Sequence, residues 1–168
     1  MGLFSTTNYD NLNDLLLGQI QDLYDAEQRL CDGLAEMAEA ATTPALRAAF
    51  NLHLNETKGH VRRLEQVFGM LGVEPRRETC DAMKGLLKEG KSVVDAQGDD
   101  AVRDAGLIAA AQRVEHYEIA GYGTARSFAR QLGLEEAANL LQQTLDEEGA
   151  ADRKLTEIAE SSVNAQAV

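Results

Sequence analysis

Apolar residues recur along this chain in steps of three and four, the period of a helix that buries one face, and no alternating strand pattern interrupts them. The first stripe is Leu16, Ile20, Leu23, Glu27, Leu30, Leu34, Met37, and it predicts a helix over about 11–40. A second, Leu46, Phe50, His53, Glu56, His60, Leu64, Val67, Leu71, predicts a helix over 44–71. A third, Ile108, Ala111, Glu115, Glu118, Tyr122, Ala125, Ala129, Leu132, predicts 100–132, and a fourth, Leu141, Leu145, Glu148, Asp152, Leu155, Ala159, predicts 135–159. A shorter helix is expected at about 80–96, and residues 160–168 are expected to fray. Both prolines stand at breaks. Thr43-Pro44 reads as a helix cap with proline at the first helical position, and Gly72 with Pro75 reads as a stop.

A few residues join the 11–40 and 44–71 helices, and Gly133 joins the 100–132 and 135–159 helices, so each pair is expected to form an antiparallel hairpin. The connection from 73 to 98 is long enough to run the length of a bundle. The expected fold is therefore all-α: a single domain over 1–168, a four-helix bundle of two antiparallel hairpins with a long crossover containing an extra helix. That connectivity is ferritin-like.

Each stripe is apolar at both ends and acidic in the middle. Glu27 interrupts the first, Glu56 and His60 the second, Glu115 and Glu118 the third, Glu148 and Asp152 the fourth. A single buried glutamate is commonly neutralised by a neighbouring Lys or Arg, but six carboxylates in one dry core need an external reason, because each costs several kcal/mol unpaired. Their heights agree. Glu27 and Glu56 are equidistant from the first joint, Glu118 and Glu148 from the second, and each lies about 15 residues away, roughly 22 Å. All four can meet in one layer. Glu115 and Asp152 fall one turn beyond it, with His60 at a comparable depth. The two halves also repeat, with an offset of 91 for Glu27 and Glu118 and of 92 for Glu56 and Glu148 and for His60 and Asp152. ETKGH at 56–60 thus maps onto EGAAD at 148–152.

The stretches DLYDAEQRL (22–30), HLNETKGHVRRLEQVF (53–68), AAQRVEHYEIAGYGT (110–124) and DEEGAADRKL (146–155) resemble the YciE/YciF-type ferritin-like family of bacterial stress-associated proteins. The resemblance covers about Leu12 to Ala159, and RVEHYEIAGYGTA is its most specific part. It implies a ferritin-like bundle with an extra crossover helix, a homodimer, and a di-metal carboxylate site.

Ferritin-like di-iron sites take one Glu from each of two helices and a Glu-x-x-His pair from each of the other two. Here the spacing is four rather than three, and Asp152 stands where a second histidine is expected; both pairs still share a helix face. An oxygen-rich set with one imidazole suits two iron ions, with manganese as the alternative. In this reading Glu27 and Glu118 are terminal ligands, Glu56 and Glu148 bridge, His60 and Asp152 complete one ion each, and Glu115 is a further ligand or proton carrier. Tyr24, Tyr122 and His53 stand beside the ligands rather than among them, and His116 points away. Gly59, between Glu56 and His60, is expected to leave room for an ion or an oxidant.

The expected activity is Fe(II) oxidation or consumption of O₂ or H₂O₂ at Glu27, Glu56, Glu118 and Glu148. The competing expectations are a manganese catalase-like reaction, metal sequestration, and a structural bundle without efficient turnover.

Composition excludes more than it selects. With 168 residues, 16 Lys+Arg against 28 Asp+Glu and a net charge of −12, the chain lacks the basic face that nucleic acid or an anionic membrane demands. Its longest uninterrupted apolar run, Leu107–Ala111, is far short of the ~20 residues of a membrane span. Cys31 and Cys80 are far apart and are expected to be reduced thiols. The stretch MGLFSTTNYDN shows no secretion signal, so the chain is expected in the cytoplasm, and Gly2 with Thr6 fits a short lipidation pattern that chance often supplies.

Overall fold

A computed structural model describes residues 8–168; the lipidation pattern at Gly2 and Thr6 lies outside the described residues. Five long or medium helices follow one another: α1 (Leu12–Ala40), α2 (Pro44–Met70), α3 (Asp81–Val94), α4 (Asp100–Gln131) and α5 (Glu135–Ile158). Among the described residues no helix is long and apolar enough to cross a membrane.

Local chemistry sets the ends. The Asn11 side chain accepts from Asp14 N at 3.0 Å and starts α1, and the Asp99 carboxylate accepts from Ala101 N and Val102 N at the start of α4. Gly72 and Gly133, at φ 72° and 75°, close α2 and α4 in the left-handed region that a Cβ would disfavour. Thr43 caps α2 with Pro44 behind it, but the Thr43 side chain makes no capping bond. Its amide instead donates to Asp104 on α4, which also accepts from Thr42 N and Thr42 Oγ1.

α1 pairs with α2 and α4 with α5, as the short joints require, and α2 packs beside α5 while α1 packs beside α4. The four long helices thus close a ring. The crossover travels along α1, where buried Asp25 accepts from Arg77 Nε and from Cys80 N, and α3 then lies against α1 and α4. The close approach of α3 to α1 occurs at Gly33, where an added Cβ would come within 2.6 Å of Leu87 Cδ2.

Two apolar clusters fill the ring. One, near the α1–α2 joint, contains Leu30, Leu34, Met37, Phe50, Leu107 and Leu155. The other, near Gly133, contains Leu16, Ile20, Leu64, Phe68, Ala129 and Leu141. The polar layer lies between them along every long helix.

The last residues depart from expectation. Instead of fraying, α5 passes through a π-helical turn (Ala159–Val163) into a short α6 (Asn164–Gln166). Val163 is fully buried in the first apolar cluster, and this contact holds the segment down.

Candidate metal centre

Six side chains that carry ligand atoms come together in the polar layer. They are Glu27 on α1, His53 and His60 on α2, Glu115 and Glu118 on α4, and Glu148 on α5. All are buried; Glu27, His60, Glu118 and Glu148 have no exposed surface. They form two overlapping groups, Glu27–His60–Glu148 and His53–Glu115–Glu118–Glu148, each with ligand atoms within 4.8 Å of one another.

Helical period explains the members. His53 and His60 are seven residues apart, so two turns of α2 return both rings to one face, with centroids 6.2 Å apart. Glu115 and Glu118 are neighbours on α4 by the three-residue step. Glu148 belongs to both groups because its oxygens diverge. Its Oε1 lies 2.9 Å from His60 Nδ1, and its Oε2 lies 3.5 Å from His53 Nε2. Glu27 Oε1 lies 3.2 Å from His60 Nδ1, and Glu115 Oε1 lies 3.3 Å from His53 Nε2.

These approaches are short, but most are not hydrogen bonds. His53 Nε2, His60 Nδ1, Glu27 Oε2, Glu115 Oε2 and both oxygens of Glu118 and of Glu148 are buried without a hydrogen-bond partner. Natural cores leave few such atoms, and a concentration of them on ligand-type side chains fits a cation. Four carboxylates and two imidazoles form an oxygen-rich donor set of the kind iron and manganese take. Two divalent ions would balance the four carboxylate charges. The residues present therefore fit a metal.

Electrostatics agrees. Burial, reinforced by the charges of Glu27, Glu148 and Glu115, pushes Glu118 well above the usual carboxylate range. Burial likewise raises Glu27 and Glu148, against the opposing pull of His60. Burial alone would lower the histidines, but Glu148 and Glu27 outweigh it and raise His60 to about 10, while Glu115 and Glu56 raise His53. Acids held up and bases held up describe one crowd of negative charge that protons share when no cation does.

Around the six, supporting contacts differ at the two histidines. His60 Nε2 is 2.9 Å from Glu147 Oε2, and Arg63 clamps Glu147 through Nη1 at 2.6 Å and Nη2 at 2.8 Å while also donating to Thr144 Oγ1. This fixes the ring so that Nδ1 faces Glu27 and Glu148. Arg63 holds Glu147 below its usual range, with burial opposing and His60 assisting. Buried Tyr122 donates to Glu27 Oε1 at 2.5 Å. At the other end, His53 Nδ1 faces Glu56 Oε2 at 3.3 Å, and Glu56 is about one-third exposed. Here the layer reaches solvent.

The structure brings Glu27, His60, Glu115, Glu118 and Glu148 together and adds His53 to them; Tyr122 stands beside them. It places three expected residues elsewhere. Glu56 turns about 60° off the His53–His60 face and sits at the mouth, outside both groups. Asp152 is half-buried at the α4–α5 seam, where it accepts from Gln112 Nε2 at 3.0 Å and neighbours exposed His116 at 3.5 Å. Tyr24 points away, with its hydroxyl on Glu65 Oε1 at 3.0 Å and its ring edge-on to Phe68. Gly59 makes no room at the centre either: an added Cβ there would meet only Arg62 Nη2, at 3.8 Å. Sequence reading did not find Glu147, Arg63 or Thr144. Their only sequence signal is that Glu147 precedes Glu148, since nothing in the spacing relates α2 to α5.

The chain matches known proteins over nearly its whole length. The family described as Domain of unknown function (DUF892) covers residues 11–168. Protein YciF of Escherichia coli (strain K12) is 44% identical over 161 residues, 95% of this chain and 97% of that protein. The crystal structure of the E. coli stress protein YciF superimposes with a TM-score of 0.89 over 93% of this chain and 99% of that one. YcfI of Rhodopseudomonas palustris, for which a structural role has been suggested, is 41% identical with a TM-score of 0.87, over 92% and 98% of the two chains.

Proposed function

The chain belongs to the DUF892 family, and from that premise we propose that it is a stress-response protein of the YciF kind whose buried cluster is a two-ion carboxylate centre. The ions are iron, with manganese as the alternative. One observation carries the reading: Glu148 presents one oxygen to His60 and the other to His53, so a single carboxylate serves two adjacent sites. Glu27, His60 and Glu148 would hold the first ion, and His53, Glu115, Glu118 and Glu148 would hold the second.

Two ferrous ions supply, when bound, the electrons that reduce O₂ or H₂O₂. The protein's part is to position and to insulate. Tyr122 fixes Glu27, and the Arg63–Glu147 pair fixes His60. The apolar clusters above and below keep bulk water from the layer. Glu56, about one-third exposed, exchanges protons with His53 Nδ1.

The test is metal analysis of purified protein together with an anaerobic Fe(II) titration, followed by exposure to O₂ or H₂O₂. Two ions per chain and oxidant consumption are expected. Two ions without turnover would leave sequestration; no metal after growth in iron-supplemented medium would leave a structural bundle and end the proposal. The setting we propose is a homodimer in the cytoplasm. Sedimentation tests it, and a dimer excludes mineral storage, which needs a closed cage.

A further inference from the structure

The solvent end of the cluster opens into a cavity of about 260 Å³ between α2 and α5. Its walls are mostly apolar, with Ala49, Phe50, Leu52, Ala150, Ala151 and Leu155; Glu56 and Lys154 stand beside them, and the Lys154 ammonium lies 3.2 Å from Glu157 Oε2. Its floor is His53 and Glu115, 5% and 1% exposed, whose Nε2 and Oε2 are among the buried atoms without partners. Leu52 stands at the rim with 61% of its surface exposed. Three alanines make the space. Leucine at any of them would fill part of it, and leucine is nearly as good a helix former as alanine.

We infer that this cavity is a binding site for one small, neutral, apolar organic molecule, held between α2 and α5 against the His53–Glu115 wall. Volume decides its size. A dry apolar cavity of about 150 Å³ holds benzene, so this one holds a molecule of about ten non-hydrogen atoms. It is too small for a helix or a peptide strand, and O₂ or H₂O₂ needs no chamber of this size. Charge decides the class. Each charged group of the lining already faces its opposite, Glu115 and Glu56 each 3.3 Å from a nitrogen of His53 and Lys154 3.2 Å from Glu157, so no charge of either sign is left over for an ionic ligand, and the apolar remainder gives an ion's hydration shell nothing in exchange. The bound molecule would touch the cluster at its His53 end, away from the Arg63–Glu147 clamp on His60. Filling the cavity requires no ion, so the site stands or falls separately from the two-ion centre.

The experiment is a titration of the full chain, ¹³C-labelled at Ala and Leu methyls, with benzene, and with acetate as the polar control. Saturable shifts of the Ala49, Leu52, Ala151 and Leu155 methyls with benzene and none with acetate are expected. Ala151→Leu should weaken benzene binding roughly tenfold or more while leaving metal stoichiometry unchanged, and Ala49→Leu serves the same purpose should Ala151→Leu fail to fold. Absence of saturation, shifts confined to other regions, or unchanged affinity in a folded leucine variant would overturn the assignment. Methyl signals that respond to protein concentration but not to benzene would overturn it too, in favour of a second copy covering the site.

Discussion

Asp104 and Glu118 lie on the same helix, both are fully buried, and they behave in opposite ways. Asp104 is surrounded by donors, accepting from Thr42 N, Thr42 Oγ1 and Thr43 N. Burial alone would raise its pKa, but the Thr43 and Thr42 donors outweigh burial and hold it below the usual range. Glu118 is surrounded by other acids, neither of its oxygens has a partner, and its pKa is driven up. Buried charge is thus of two kinds in this protein. Asp104, like Asp25 beneath the crossover, ties segments together and is complete as it stands. Glu118 and its neighbours keep buried ligand-type atoms without hydrogen-bond partners, and that marks them as a candidate site.

The largest expected effect falls on the shared carboxylate. Glu148→Ala removes a ligand from both groups, and metal affinity should drop by roughly 100-fold or more, beyond the loss usual for a supporting residue. Isothermal titration with Fe(II) under anaerobic conditions measures it, and unchanged stoichiometry would remove Glu148 from the centre.

Stability sharpens the contrast next. Asp104→Ala leaves two backbone amides unpaired and should cost about 2–4 kcal/mol in urea denaturation. Glu118→Gln, in metal-free protein, replaces a buried carboxyl whose ionised form burial and its acidic neighbours already disfavour, and should cost nothing or stabilise by about 1 kcal/mol. Equal losses at both positions would erase the distinction.

Glu147→Ala tests the clamp. It frees His60 without removing a ligand, so affinity should fall by roughly 10- to 100-fold, with stoichiometry retained. Histidine ¹⁵N shifts report whether the His60 tautomer is lost with it.

The smallest effect is on pH dependence. The folded pKa of Asp104 lies below its unfolded value of about 3.9. The stability it contributes is therefore present above that pH and is lost as pH falls through the folded value. The stability gap between the native chain and Asp104→Ala should be constant from about pH 5 to 8 and should shrink below about pH 4.

Much of the centre was legible. Glu27, Glu118 and Glu148 follow from the interruption of apolar stripes and from their equal distance to the joints, because an antiparallel hairpin fixes level by counting. Counting stops at the boundary between hairpins. How far α2 slides and rotates against α5 depends on side-chain packing, and this decided that His53 and not Glu56 faces Glu148, and that Glu147 and Arg63 meet. The Glu56–Glu148 and His60–Asp152 repeat was real in the sequence but is not matched in space. A rotation of some 40–60° about a helix axis separates a residue of the buried cluster from one at its edge.

Periodicity, joints and the placement of glycine and proline determined the helices and the hairpins, since these depend on interactions within a few residues or across one turn. The acidic interruption of each stripe determined that a charged layer exists, since burial of a face is itself a local pattern. Only the tertiary structure decided which acids meet donors and which meet each other, because that outcome turns on distances of an ångström or two between segments remote in the chain. It also decided that one end of the layer is clamped and the other opens on an apolar cavity.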